Sequence, residues 1–265
     1  MGDMLSTAVS GLLAFQTALD TTSNNISNVN TPGYNDELTN FATASATPTV
    51  NGWIGNGVTV TGVTNQYNQF LATQTNNASS SFNQFNTLST FAANINNLFA
   101  DPKSGLSATL QNFSNAVQTM ANSPADSSAR QAVLAQAQTL ISQFKSYQGS
   151  MAALQSQVLS QVGAESSAIT SLGQQIASLN KQIVAAEQNG AGQAPNQLLD
   201  EQENLISQLS QHVNVNTVTQ SDGSVNVFIG NGQPLVVGAS SSTLATGADQ
   251  FSSGQPQVSL QTAGG

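Results

Sequence analysis

The sequence predicts a mainly α protein: an N-terminal heptad helix and an elongated antiparallel helical bundle, followed by a partial β-meander domain. Three observations carry this. Apolar residues recur at alternating steps of three and four through the first thirty positions, and helical spacing resumes from about residue 67 to 211 between proline breaks. The period then drops to two after Val213. The matching division is 1–35 for an N-terminal assembly helix, 36–212 for the bundle with a short β-hairpin near 53–63, and 213–265 for an incomplete β-rich outer domain.

The first helix rests on Leu5, Ala8, Leu12, Phe15, Leu19, Thr22, Ile26 and Val29. This strict seam is narrower than the stripe of a helix lying on a globular core, and it asks for a partner helix packed nearly parallel. With that partner missing, the isolated chain is expected to leave this helix unfolded or loosely self-associated. Pro32 and Gly33 suit the two central positions of a type II turn, so the helix ends near residue 30. Gly55-Asn56-Gly57 lacks the third glycine and the following helix of a dinucleotide loop, and Val58, Val60 and Val63 after it suggest a hairpin instead.

Helical spacing through Phe70, Phe82, Phe85, Leu88 and Phe99 closes at Asp101-Pro102. A helix with Leu106, Leu110, Phe113, Val117 and Met120 ends before Ser123-Pro124, and Asp126 caps the longest element. That element holds one heptad series from Val133 to Val158 and another from Val162 to Ala186, joined by a stutter. Unbroken, it would be roughly 90 Å long, although Gly149, Gly163 and Gly173 are places to bend or break it. After "NGAGQAP" a helix from Asn196 to about Gln211 carries Leu198, Leu199, Leu205, Ile206 and Leu209. Asp222-Gly223 then signals a two-residue hairpin, and the Ser-, Gly- and Gln-rich stretch 239–265 supplies no closing strand.

Composition narrows the function. Four basic and thirteen acidic residues make 6% charged, against about 25% in ordinary soluble proteins. Amides and hydroxyls must solvate the surface, which makes contacts insensitive to salt. A net charge of -9 and scattered cations exclude nucleic-acid binding, and no apolar run reaches the ~20 residues that span a bilayer. Without cysteine there are no disulfides or thiolate metal sites. No catalytic residue, cofactor site or metal site is predicted. His212 sits alone at a helix end, Asp200, Glu201 and Glu203 point in different directions, and Asp36-Glu37 lacks calcium-loop spacing.

Asn24, Asn25, Asn28, Thr31, Gly33 and Tyr34, following the heptad seam, form a pattern that resembles the signature of bacterial flagellar axial proteins, the rod, hook and hook-associated family. "GWIGNGVTVTGVTNQYNQFLATQ", "SSARQAVLAQAQTLISQF" and "APNQLLDEQENLISQLSQHVNV" are similar, in wording and order, to hook-associated members at the hook-filament junction. The resemblance implies an extracellular structural protein, exported by the flagellar type III route without signal cleavage. It implies self-assembly into a ring, with the terminal helices as an inner coiled-coil tube, and contacts with hook protein and the other hook-associated and filament proteins. An export chaperone would bind only a C-terminal helix that these residues do not include, so a fragment or truncated product is expected.

Two departures bear on the fold: Asn35-Asp36-Glu37 stand where members often carry basic residues, and Gln202-Glu203 where they often carry an Arg-Asp pair. Asn24, Asn25 and Asn28 are expected to face outward and bond to neighbouring subunits. Alternatives remain another rod or hook component, or a secreted adhesin or hydrolase with a helical stalk, for which a buried, paired His212 would be the sign.

Overall fold

The computed structural model describes residues 2–50, 52–99, 105–189, 195–248 and 256–262. Helix α1 spans Gly2–Asn28. Four strands follow, β1 (Glu37–Thr43), β2 (Thr47–Thr49), β3 (Gly52–Ile54) and β4 (Val58–Asn65). Then come α2 (Gln69–Phe99), α3 (Leu106–Asn122), α4 (Ser127–Asn189) and α5 (Asn196–Ser210). The chain continues with β5 (Val215–Thr219), β6 (Val225–Ile229), β7 (Gln233–Val237), β8 (Ser240–Ser241), β9 (Thr243–Ala248) and β10 (Pro256–Gln261). The closures expected at Asp101-Pro102 and across 190–194 lie outside the described residues.

Contacts group the chain into two compact units, residues 1–80 with 167–245 and 258–265, and residues 81–166 with 246–257. The cuts expected at 35 and 212 both fall inside the first unit. The reason is packing: the β-meander has a hydrophobic face that only the helices beside it in this unit can cover.

The core of the first unit is built by the second heptad series of α4. Ile169, Leu172, Ile176, Leu179 and Ile183 pack with Leu205, Ile206 and Leu209 of α5 and with Val215, Val225, Val227, Ile229, Leu235 and Val236 of the meander. Ile176, Ile183, Leu209 and Leu235 are fully buried, each worth roughly 1.5–3 kcal/mol. Gly173 lets the sheet approach closely, since a Cβ there would stand 3.0 Å from Ser241 Oγ and 3.1 Å from Leu235 Cγ.

One buried amide ties the layers together. Asn180 Nδ2 donates to Val225 O at 2.8 Å and to Gly238 O at 2.7 Å. Its Oδ1 accepts from Gln202 Nε2 at 2.7 Å and from Val225 N at 3.1 Å. Gln202 therefore meets a neutral partner, and the position needs no cation.

The meander is antiparallel in the order β5-β6-β7-β8. Its first connection is longer than the two-residue turn expected from Asp222-Gly223. Thr219 pairs with Val225, Gly223 takes φ +74°, and Asp222 Oδ1 accepts from Ser224 N and Oγ. Asp222 thus anchors the turn with its side chain while Gly223 supplies the left-handed residue after it. Among the described residues beyond 239, where no closing element was expected, β9 and β10 pair as a two-stranded sheet.

In the second unit α2, α3 and α4 behave as the spacing predicts, with differences in burial. Asp126 caps α4 through Ser128 N at 2.8 Å, and α4 stays helical through all three glycines. The Phe99 ring lies 5.3 Å from that of buried Tyr147. Phe82 and Phe85, whose spacing marks α2 as a helix, are about 70% exposed.

The region near 53–63 is also rearranged. Instead of one hairpin, β3 pairs with β2 and β4 with β1, so a small hairpin is nested at the end of a longer one. Glu37 pairs with Asn65 and Thr43 with Val58, with a bulge between Asn40 and Phe41. This longer hairpin is the platform on which α1 rests.

Candidate functional site

The site is the first helix and its attachment. In α1, Thr7, Ser10, Ala14, Thr17, Thr21, Asn24 and Asn28 form a second heptad series, two residues out of phase with the apolar seam. At 100° per residue that offset is roughly 200°, so the two series occupy opposite faces. The polar series is turned inward and is buried or half-buried, with Ala14 and Thr21 under 10% exposed.

The inward face grips β1 and β4 through short side chains. Ser10 Oγ accepts from Val58 N at 3.3 Å and donates to Thr7 O at 2.8 Å. Thr39 Oγ1 donates to Thr21 Oγ1 at 2.9 Å, and Thr21 Oγ1 donates to Thr17 O. Small residues bring the helix close to the strands, and each hydroxyl that is buried finds a partner.

The family-motif residues gather where α1 ends. Tyr34 N donates to Thr31 O at 3.2 Å with Gly33 at φ +83°, the predicted turn. That turn returns Tyr34 to the helix, where its hydroxyl donates to Asn25 Oδ1 at 2.6 Å and accepts from Asn24 Nδ2 at 3.3 Å. Asn25 Oδ1 also accepts from Glu37 N, and Asn25 Nδ2 donates to Glu37 O. Asn24 Nδ2 reaches Glu37 Oε2 at 3.1 Å. Asn28 Nδ2 donates back to Asn24, and Asn28 Oδ1 accepts from Thr31.

The expectation that these asparagines bond to neighbouring subunits is therefore corrected. Their amides are engaged inside the chain, and that of Asn25 copies the pairing of a strand and fixes the start of β1 against α1. Partial burial, then the carboxylates of Glu37, Asp200 and Asp36, push the Tyr34 hydroxyl above its ordinary value. It stays a neutral donor.

The hairpin ends are clasped to α5. Asp200 accepts from Asn35 N at 3.1 Å, Asn35 Nδ2 at 2.8 Å and Asn65 Nδ2 at 3.2 Å. Asn196 Nδ2 donates to Glu37 Oε1 at 2.9 Å and Val63 O at 3.0 Å. A cleft of about 500 Å³ opens beside them, lined by Asp20, Thr21, Asn24, Glu37 and Asn196 among others. Glu203 receives the Tyr67 hydroxyl, and burial raises its carboxyl above the usual range. Glu201 is exposed, while the Asp200 carboxylate adds to the upward push on Glu203.

The seam itself is outward. Leu5, Leu12, Phe15, Leu19, Ile26 and Val29 are all about 68–69% exposed, and Ala8 is exposed too. The Phe15 ring lies 6.4 Å from that of Phe41. The helix is docked through its polar face, by Ser10 against Val58 and Thr21 against Thr39. The hydroxyl and amide series was missed by sequence reasoning because it contains one apolar residue, Ala14. Its heptad spacing, two positions after the seam, was the available signal.

No three His, Asp or Glu side chains gather as metal ligands among the described residues. No helix among the described residues is long and apolar enough to cross a membrane. His212 is exposed, where a triad called for a buried one.

Fold and site together define a helix-rich protein that holds its first helix by the polar face and leaves an apolar heptad seam open. The family model described as flagellar hook-associated protein FlgK helical domain matches residues 92–265, and that of flagella basal body rod protein matches residues 5–35. Flagellar hook-associated protein 1 of Salmonella typhimurium is 38% identical over 245 residues, which are 92% of this chain and 44% of that protein. The Escherichia coli protein of that name is 36% identical over 92% of this chain and 45% of its own length. A solved structure, the flagellar hook junction protein FlgK from Burkholderia pseudomallei, superposes with a TM-score of 0.65 at 37% identity, covering 73% of this chain and 34% of that one. The chain belongs to the FlgK family of flagellar hook-associated proteins. It spans about half the length of the curated relatives it matches.

Proposed function

We propose that this protein is a structural component of the bacterial flagellum, an adaptor that joins hook to filament through coiled-coil packing between subunits. The observation that carries this reading is the orientation of α1. Its polar face is satisfied by its own chain while Leu5, Leu12, Phe15, Leu19, Ile26 and Val29 stay in water. Leaving six large apolar side chains exposed in one line is costly unless another surface covers them. Neighbouring copies in a ring would supply that surface, and hook protein and the other hook-associated and filament proteins would lie above and below. On this reading it works outside the cell, reached by flagellar export, and it performs no catalysis.

A second axial role, as a rod or hook part, is favoured by the match of the rod-protein model to residues 5–35. The longer match to the FlgK helical domain favours the junction. Deleting the gene in its source bacterium separates them. Hooks without filaments, with flagellin released to the medium, support the junction role, and cells without hooks support the rod or hook role.

A further inference from the structure

The seam is useful for assembly only if α1 is held at one rotation about its axis, and hydroxyl contacts to β1 and β4 are individually weak restraints. The first half of α1 also meets a close backbone approach. Gly57, which enters β4, takes φ +93° and lies directly against the helix. A Cβ built there would overlap Ser10 Oγ and stand 3.2 Å from Thr7 O and 3.3 Å from Thr7 Cα. The close approach is what brings Val58 N within reach of Ser10 Oγ. The loop beside it is pinned, with Asn56 Nδ2 donating to Ser45 O at 2.6 Å and Thr47 Oγ1 at 2.7 Å. Ala44 N donates to Gly57 O at 3.0 Å, which fixes the glycine on the far side of the hairpin.

We propose that Gly57 is the positioning residue of the assembly helix: its bare backbone, seated on Thr7 and Ser10, sets the rotation of the first half of α1 and so the outward direction of Leu5, Ala8 and Leu12. The second half is held independently by Thr21 on Thr39 and by Asn24 and Asn25 on Glu37. Loss of the Gly57 seat therefore frees residues 5–13 and spares 21–28. The inference rests on the assembly reading for its purpose and on the Gly57 contacts alone for its mechanics.

The fold supplies a matched control. Gly232 has the same φ of +93°, and a Cβ there would meet nothing within 4 Å. Gly57→Ala and Gly232→Ala thus both place an alanine at φ +93°, and only the first collides with α1. Amide hydrogen exchange of the full chain is the measurement. Gly57→Ala is expected to speed exchange at residues 5–13 about tenfold, with residues 21–28 and the α4 and α5 core unchanged. Gly232→Ala is expected to leave α1 as it was. Should Gly57→Ala fail to fold, Ser10→Leu places the bulk on the helix side of the same seat and is expected to free the same residues.

Exchange in α1 equal in Gly57→Ala and Gly232→Ala, or unchanged in Ser10→Leu, overturns the proposal. Faster exchange together with loss of incorporation into flagella supports both the positioning role and the assembly reading. Faster exchange with full incorporation supports the positioning role and overturns the assembly reading, so the two failures are distinct.

Discussion

Thr39 Oγ1 donates a 2.9 Å hydrogen bond to Thr21 Oγ1, and both residues are buried where β1 crosses the second half of α1. A hydroxyl pair at the heart of a helix-strand contact is unusual only if the helix is expected to turn its apolar side inward. Thr21→Val removes the acceptor and leaves a buried hydroxyl on Thr39, costing about 1–3 kcal/mol. Changing both to valine preserves the shape, so the double variant should be more stable than Thr21→Val. Urea midpoints of the two single variants and the double one read this coupling.

Asp200 is the corresponding anchor between the hairpin ends and α5. Its partners, Asn35 and Asn65, are neutral amides and a backbone N–H rather than cations. Asp200→Ala should cost about 3 kcal/mol by orphaning those donors, more than either Asn65→Ala or Glu201→Ala. Because no ion pair is involved, the loss should be the same in dilute and in molar salt. Denaturant titrations at the two salt concentrations check both statements.

Two glycines of α4 should respond with opposite signs. Gly149→Ala, where a Cβ meets nothing within 4 Å, should stabilise by about 0.5–1 kcal/mol through helix propensity. Gly173→Ala meets Leu235 and Ser241 at 3.0–3.2 Å, and prying the meander from the helix should outweigh that gain by about 1–3 kcal/mol. Thermal unfolding of the pair decides it.

Glu203 makes stability depend on pH. Burial raises its carboxyl above the ordinary 4.5, and the Tyr67 hydrogen bond only partly opposes this. The folded state therefore takes up a proton before the unfolded chain does. Stability should rise as pH falls from neutral through the folded value, with the gain complete below 4.5. Asp222 acts oppositely and lower, because its carboxyl is held below 3.8 and its contribution is lost only as pH falls past that. Glu203→Gln, always neutral, should raise the unfolding midpoint at pH 7.5 and abolish the rise on mild acidification. Melting curves between pH 7.5 and 5 test it.

Much of this was legible wherever one local cause decides the outcome. Pro32-Gly33 demands its turn, Asp126 caps α4, and the heptad series from Ile169 to Ile183 marks one continuous helix face. What depended on two distant segments was not legible. The nested pairing of β2 with β3 follows from strand register, and Gly173 and Gly57 are defined by what lies across from them. The asparagines show the same limit. Their amides suit a subunit contact or an internal one equally well, and only the return of Tyr34 and Glu37 to the helix chooses. Phe82 and Phe85 mislead because spacing reports a common face without reporting whether that face is covered.

The central claim is that the two faces of α1 have different partners, one in the chain and one in the assembly. The protein has no cysteine, so single substitutions give clean thiol reporters on either face. Leu12→Cys and Ala14→Cys, labelled in the free chain and again after incorporation into flagella, measure the claim directly. The account predicts that Ala14→Cys is protected in both states, and that Leu12→Cys reacts readily in the free chain and is protected in the flagellum. Equal reactivity of Leu12→Cys before and after incorporation would contradict it.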